Sequence, residues 1–274
     1  VSWTSTARRA AAQAVKATAA GIDVVRRPRP GVVVLLYHRV GGGSGSTVDL
    51  PIELFDQQMS EIRARVATLD AALDVLAGRT PPTERDIVVT FDDGTDDFAE
   101  HAMPVLARHG VPAVVYVATD FIENARDFPG DAPPMSWDAL RDAVRTGLVT
   151  VGSHTDSHRL FDRIDAATAA RELDRSIDLI GERLDLPVAH FAYPKAQAPN
   201  AEAEAEVRRR FRSAALAGTT ANAYGRTDPY RLSRSPIQVT DGMQWFRRKA
   251  AGGMAIEDNL RRLANRGRYA DAVT

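Results

Sequence analysis

Asp86-Ile87-Val88-Val89-Thr90-Phe91-Asp92-Asp93-Gly94 is a run of strand-forming residues that ends on two acids and a glycine. Ile87 through Phe91 suit a strand covered on both faces, as in a parallel sheet. Gly94 lets the chain turn sharply, so Asp92 and Asp93 stand at a strand end with their carboxylates pointing in different directions. One can bind a metal while the other faces a substrate. The same three residues are also an ordinary turn sequence.

Outward from this run the pattern repeats. Residues 31–36 and 113–118 are further apolar strands, and residues 51–65 carry Ile52, Leu54, Phe55, Met59 and Ile62 at near-helical spacing. A helix follows Gly94 and stops at Gly110. Then come a helix over 137–145, a strand over 148–152, a helix over 166–184 and a strand over 188–193. A helix over 202–211, a strand over 213–216 and a short strand over 237–239 complete the series. Strands alternating with helices predict an α/β fold whose parallel sheet closes into a (β/α) barrel, one domain in all. Chemistry in such barrels gathers where strands end and loops begin.

The chain has 274 residues, 44% hydrophobic and 26% charged, with net charge -1 and no cysteine. Thiolate metal sites, thiol nucleophiles and disulfides are excluded. Near-zero net charge gives no global pull on nucleic acid. The boundaries predicted are a basic N-terminal helical extension over 1–30, a catalytic domain over 31–240 and a C-terminal helical extension over 241–274. In the first, Arg8, Arg9, Lys16, Arg26, Arg27 and Arg29 stand against Asp23. That is either an exposed helix, packed on the domain or partly disordered, or a peripheral contact with an anionic membrane face. The apolar residues there are too interrupted to span a bilayer or to read as an export signal.

A second motif, Ser153-His154-Thr155-Asp156-Ser157-His158, follows the strand over 148–152. One helical turn would bring His154 and His158 onto one face and let both imidazoles reach a single ion. With Asp93 as third ligand the set is His-His-Asp, which leaves positions open for water and a substrate oxygen.

These two motifs, in this order, resemble those of the polysaccharide deacetylases of the NodB-homology class, carbohydrate esterase family 4, over roughly residues 31–240. The resemblance implies a distorted (β/α) barrel and one divalent ion, zinc or similar. It implies Asp92 as base, Asp93, His154 and His158 as ligands, and an N-acetylated (or O-acetylated) hexosamine polymer as substrate. Phe191-Ala192-Tyr193-Pro194-Lys195 resembles a third family motif, with Lys195 in an aromatic position. There Tyr193, Pro194 and Lys195 would form the substrate and oxyanion segment, a backbone N–H just after the proline steadying the oxyanion.

Leu232-Ser233-Arg234 falls where many relatives carry Leu-x-His, whose histidine is the acid. Arginine stays protonated and donates protons poorly. Its expected role is to keep Asp92 ionised and oriented. Tyr37-His38-Arg39-Val40 resembles a sequence of the poly-N-acetylglucosamine deacetylase branch, which makes His38 the expected acid. Relatives usually act outside the cytoplasm, whereas this sequence indicates no compartment and no oligomeric state. Two rival readings stand beside this one: a small-molecule amidase or imidase on the same barrel, and a glycan-binding relative without catalysis.

Overall fold

A computed structural model describes residues 13, 15–21, 28–255 and 257. Seven parallel strands close into a barrel: β1 (Gly31–Tyr37), β2 (Ile87–Phe91), β3 (Ala113–Val117), β4 (Val149–Ser153), β5 (His190–Ala192), β6 (Ser213–Ala217) and β7 (Leu232–Pro236). Neighbours in sequence are neighbours in space, and β7 closes on β1 with Arg234 opposite Val34. A short antiparallel strand, Asn222–Ala223, is added to the start of β1. Around the barrel lie α1 (Ile52–Ile62), α2 (Leu69–Leu76), α3 (Met103–His109), α4 (Thr119–Glu123), α5 (Trp137–Arg145), α6 (Ala166–Leu184), α7 (Ala201–Arg210) and α8 (Gly242–Ala250).

Strand residues alternate between two cores, as the period of two requires. Val33, Leu35, Tyr37, Val89, Phe91, Val115 and Val117 face the helices, while Val32, Val34, Val88, Val114, Tyr116 and Leu232 fill the barrel. Gly152 makes room for the largest of the latter, since a Cβ there would sit 2.4 Å from the Tyr116 ring.

The expected strands and helices are found with ends shifted by a few residues, and α6 matches over 166–184. Residues 237–239 are a correction. The closing strand is Leu232–Pro236, and Val239–Asp241 is a 3₁₀ turn. Leu-Ser-Arg-Ser-Pro lacks the apolar pattern of a strand, because one of its inward side chains is Arg234, which is buried against a carboxylate. Helices α2 and α4 were not expected.

Described segments from the two halves of the chain, residues 15–21 and residues 241–255 with Glu257, pack against each other. Residues 15–21 are helical, with Ala19 and Ala20 against Trp245 and Met254. Lys16 pairs with Asp241, and with Glu257 at 2.9 Å. Lys249 reaches Asp241 at 2.9 Å and Glu257 at 3.5 Å, and donates to the Pro236 carbonyl at 2.8 Å. Lys16 and Lys249 are therefore committed to the interior and unavailable to a membrane surface. Arg8, Arg9, Arg26 and Arg27 lie outside the described residues.

Candidate active site

Asp92 and Asp93 leave β2 at the mouth where the strands end. Asp93 adopts φ 76° and Gly94 φ 93°. A left-handed aspartate costs about 1 kcal/mol or more unless its surroundings hold it there. Met135 and Ala118 do so: the Met135 N–H donates to the Gly94 carbonyl at 3.0 Å, and the Ala118 N–H to the Asp93 carbonyl at 3.1 Å.

Asp92 is buried, and the Arg234 guanidinium grips it with both arms: Nη1 to Oδ1 at 2.5 Å and Nη2 to Oδ2 at 2.8 Å. Burial pushes the Asp92 carboxyl up, but Arg234, with His154 and His38 behind it, outweighs burial and holds it below the usual carboxylate range. A two-armed, charge-assisted contact also fixes the carboxylate plane.

His154 and His158 come together, with ring centroids 4.9 Å apart, but not by a helical turn. Residues 154–158 form a loop in which Thr155 has φ 70° and His158 φ 63°. Left-handed residues there fold the segment back so that both rings face Asp93. Asp93 Oδ1 lies 3.6 Å from His154 Nε2 and 3.5 Å from His158 Nε2. The His154 Nδ1–H donates to the Ala192 carbonyl at 2.8 Å, which leaves the Nε2 lone pair facing Asp93. Burial is the main influence on His154 and pushes it down to about 4, so it is neutral near pH 7. Burial would raise the Asp93 carboxyl, but His158, His38 and His154 together hold it well below the usual range.

This donor set fits a divalent ion. It offers one carboxylate oxygen and two imidazole nitrogens, with all ligand atoms within 4.8 Å of one another. Donors bound tetrahedrally at about 2.0–2.2 Å stand about 3.3–3.6 Å apart, which matches the 3.5 and 3.6 Å separations from Asp93. Asp93 and His158 keep side-chain exposures of 23% each, so the mouth is open on that side. A cleft of about 980 Å³ between residues 41–53 and 239–245 is lined by none of Asp92, Asp93, His154 and His158.

His38 follows β1, whose Tyr37 pairs with Phe91, and its Nδ1 is buried with no hydrogen-bond partner among the described residues. Its neighbour Arg39 pairs with Asp97 at 2.6 Å, tying this loop to the segment after Gly94. The Tyr193 ring sits in the outer core against Phe161 and Phe191 and is fully buried, so it does not line a substrate surface. Pro194 is buried as well, while Lys195 is exposed and turns with φ 52°. His190 is buried at the start of β5, beside Ser213 Oγ at 2.9 Å and two residues before the Ala192 that bonds His154. The sequence reading missed the groups that brace the loop from α6, Glu172 and Ser176. Their four-residue spacing on an amphipathic helix was the available signal.

Residues 79–212 match the family model described as polysaccharide deacetylase. That span holds Asp92, Asp93, His154 and His158 but neither His38 nor Arg234. Among solved structures, the chain is 26% identical to IcaB from Ammonifex degensii, the match covering 81% of this chain and 98% of that one at TM-score 0.71. The Streptococcus pyogenes deacetylase PplD, solved in complex with acetate, shares the fold at 18% identity, 81% and 99% coverage and TM-score 0.70. YxkH of Bacillus subtilis (strain 168), provisionally named as a polysaccharide deacetylase, is 23% identical over 59% of this chain and 55% of that protein. The aligned part therefore spans little more than half the length of that relative.

Proposed function

We propose, from the premise that this chain belongs to the polysaccharide deacetylase family through residues 79–212, that it is a metal-dependent hydrolase removing N-acetyl groups from a hexosamine polymer. The observation that carries the reading is the convergence of an arginine-held carboxylate and a His-His-Asp donor set at one barrel mouth. The open side of that mouth at Asp93 and His158 suits a chain of sugars better than the enclosed pocket a small-molecule amidase needs.

Hydrolysis breaks the amide C–N bond and adds water across it, giving acetate and a free amine. Asp93, His154 and His158 would hold the ion. When bound, a divalent ion supplies a polarised carbonyl and a more acidic water, a need set by the weak basicity of the Arg234-paired Asp92. Asp92 accepts the water proton on a lone pair that Arg234, which takes one on each oxygen, leaves free. The backbone N–H of Lys195 donates to the developing oxyanion. His38 gives a proton to the departing nitrogen, without which an amine is a poor leaving group. Ionised residues at the mouth thus divide the work: one carboxylate moves a proton and the other binds.

Mass spectrometry of N-acetylglucosamine oligomers after incubation tests this reading. Products lacking one or more acetyl groups are expected, and intact oligomers together with released acetate from small acetamides alone would transfer the protein to the amidase reading.

A further inference from the structure

His154 and His158 are anchored differently. His154 is fixed through its own ring, by the Ala192 carbonyl. His158 is fixed through the backbone that leads into it: its N–H donates to Thr155 Oγ1 at 2.8 Å, and Thr155 carries the left-handed φ that folds the loop back. What keeps that fold in place comes from α6. Ser157, adjacent to His158, donates from its N–H to Glu172 Oε2 at 2.8 Å and from its hydroxyl to Glu172 Oε1 at 2.7 Å. One helical turn on, Ser176 Oγ meets Ser153 Oγ at 2.8 Å, and both serines are buried. Residues four apart share a helix face, so a single face of α6 grips the loop at both ends, at Ser153 before His154 and at Ser157 before His158. The far side of the loop is held by α4, where the Thr119 hydroxyl donates to Asp156 Oδ1 at 2.7 Å and the Asp120 N–H to the Asp156 carbonyl at 3.0 Å.

We infer that Glu172, supported by Ser176, is a positioning residue that presets the His154–His158 pair for the ion, an assignment resting on the metal-dependent reading above. Glu172 touches neither substrate nor donor atoms. Its side chain is 11% exposed and takes both of its short contacts from Ser157, with Arg159 at 3.5 Å behind. Both carboxylate oxygens accept from one residue, which defines the position and the rotation of the Ser157 peptide and hence the direction in which His158 leaves the backbone. Groups that orient metal ligands in this indirect way alter metal affinity by about 10–100-fold when removed.

The test is titration of the metal-free full chain with Zn²⁺, by calorimetry or chelator competition, alongside Co²⁺ absorption as a signature of ligand geometry. Glu172→Ala is expected to weaken Zn²⁺ binding by about 10–100-fold and to change the Co²⁺ spectrum. The melting temperature of the metal-free protein should stay near that of the parent. Glu172→Gln, which keeps an acceptor for the Ser157 N–H, should recover most of the affinity. If Glu172→Ala does not fold, Ser157→Ala removes one of the two contacts from the loop side and should weaken binding several-fold. Equal Zn²⁺ affinity in the parent and in Glu172→Ala, or in the parent and Ser157→Ala, would overturn the assignment while leaving the metal reading intact. A parent chain that takes up no Zn²⁺ would overturn both.

Discussion

Among the described residues, two of the clusters of buried charge are built on opposite principles. At the terminal clasp, Lys16 and Lys249 meet Asp241 and Glu257, so positive and negative groups are matched and each is held by at least two contacts. At the barrel mouth, Asp92 is matched by Arg234, but Asp93 faces only imidazoles within ion-pair distance among the described residues. The clasp balances two cations against two carboxylates. The mouth holds a carboxylate in excess of its nearby fixed cations, beside two imidazoles whose nitrogens converge on it, and that is the electrostatic setting of a cation site. Buried charge is expensive unless paired, so a surplus acid at a mouth is a functional hypothesis, whereas a matched quartet is an account of how residues 15–21 are fastened to α8 and its flanks.

The comparison is broken most severely by Arg234→Met. Asp92 would be left buried without its guanidinium, and loss of one partner from a buried pair costs about 3–5 kcal/mol. Urea unfolding of the metal-free variant should show this loss, and turnover should fall with it because Asp92 is no longer oriented. Lys249→Met acts on the other cluster. Asp241 keeps Lys16, so the expected loss is about 3 kcal/mol, at the low end of that range, and the folded fraction should retain parental kcat/KM. A large fall in kcat/KM per folded molecule would show that the clasp takes part in the chemistry.

Acid separates the clusters without mutation. The usual histidine pKa is near 6.5, and burial holds His154 at about 4 in the fold. Between those values the unfolded chain binds a proton that the native side chain does not, so metal-free stability should fall as pH drops from about 6.5 to about 4, by on the order of 3 kcal/mol at most. His190, also lowered by burial, acts in the same direction. Burial pushes the Asp241 carboxyl up, but Lys249 and Lys16 outweigh it and hold it below the usual range, so the clasp gives up its contribution only at more acidic pH. Urea midpoints across this window should slope for the parent and slope less for His154→Asn. Equal slopes would contradict the buried, neutral state of His154.

The smallest effect concerns the acid. His38→Ala should leave metal content unchanged and slow acetamide hydrolysis about 10²-fold more than hydrolysis of an activated aryl acetate, since a phenolate leaves without protonation. Equal losses on both substrates would make His38 a structural or water-positioning group.

Much of this was legible in the sequence. The apolar runs ending on Asp92 and near His154 located both motifs at strand ends, because buried parallel strands leave a continuous hydrophobic trace. The Asp92–Arg234 contact was also anticipated, from an arginine, a poor proton donor but a strong hydrogen-bond donor, standing where relatives carry a histidine. Three features were hidden. Leu232–Pro236 does not look like a strand, since its character depends on Arg234 finding Asp92 across the barrel. The path from His154 to His158 depends on left-handed Thr155 and His158, which neither residue prefers, in a loop that contacts from both α6 and α4 hold in place. Tyr193 looked like a substrate residue, but β5 directs its ring to the outer core.

The central claim is the division of labour between two adjacent carboxylates, and it is tested most directly by Asp92→Asn beside Asp93→Asn. Bound metal per chain is measured after dialysis and turnover on an N-acetylglucosamine oligomer in the same samples. Asp92→Asn is expected to retain its ion while turnover falls by about 10²–10⁴, and Asp93→Asn to lose ion and turnover together, because three protein ligands leave none to spare. Full metal occupancy in Asp93→Asn, or parental turnover in metal-loaded Asp92→Asn, would contradict the account.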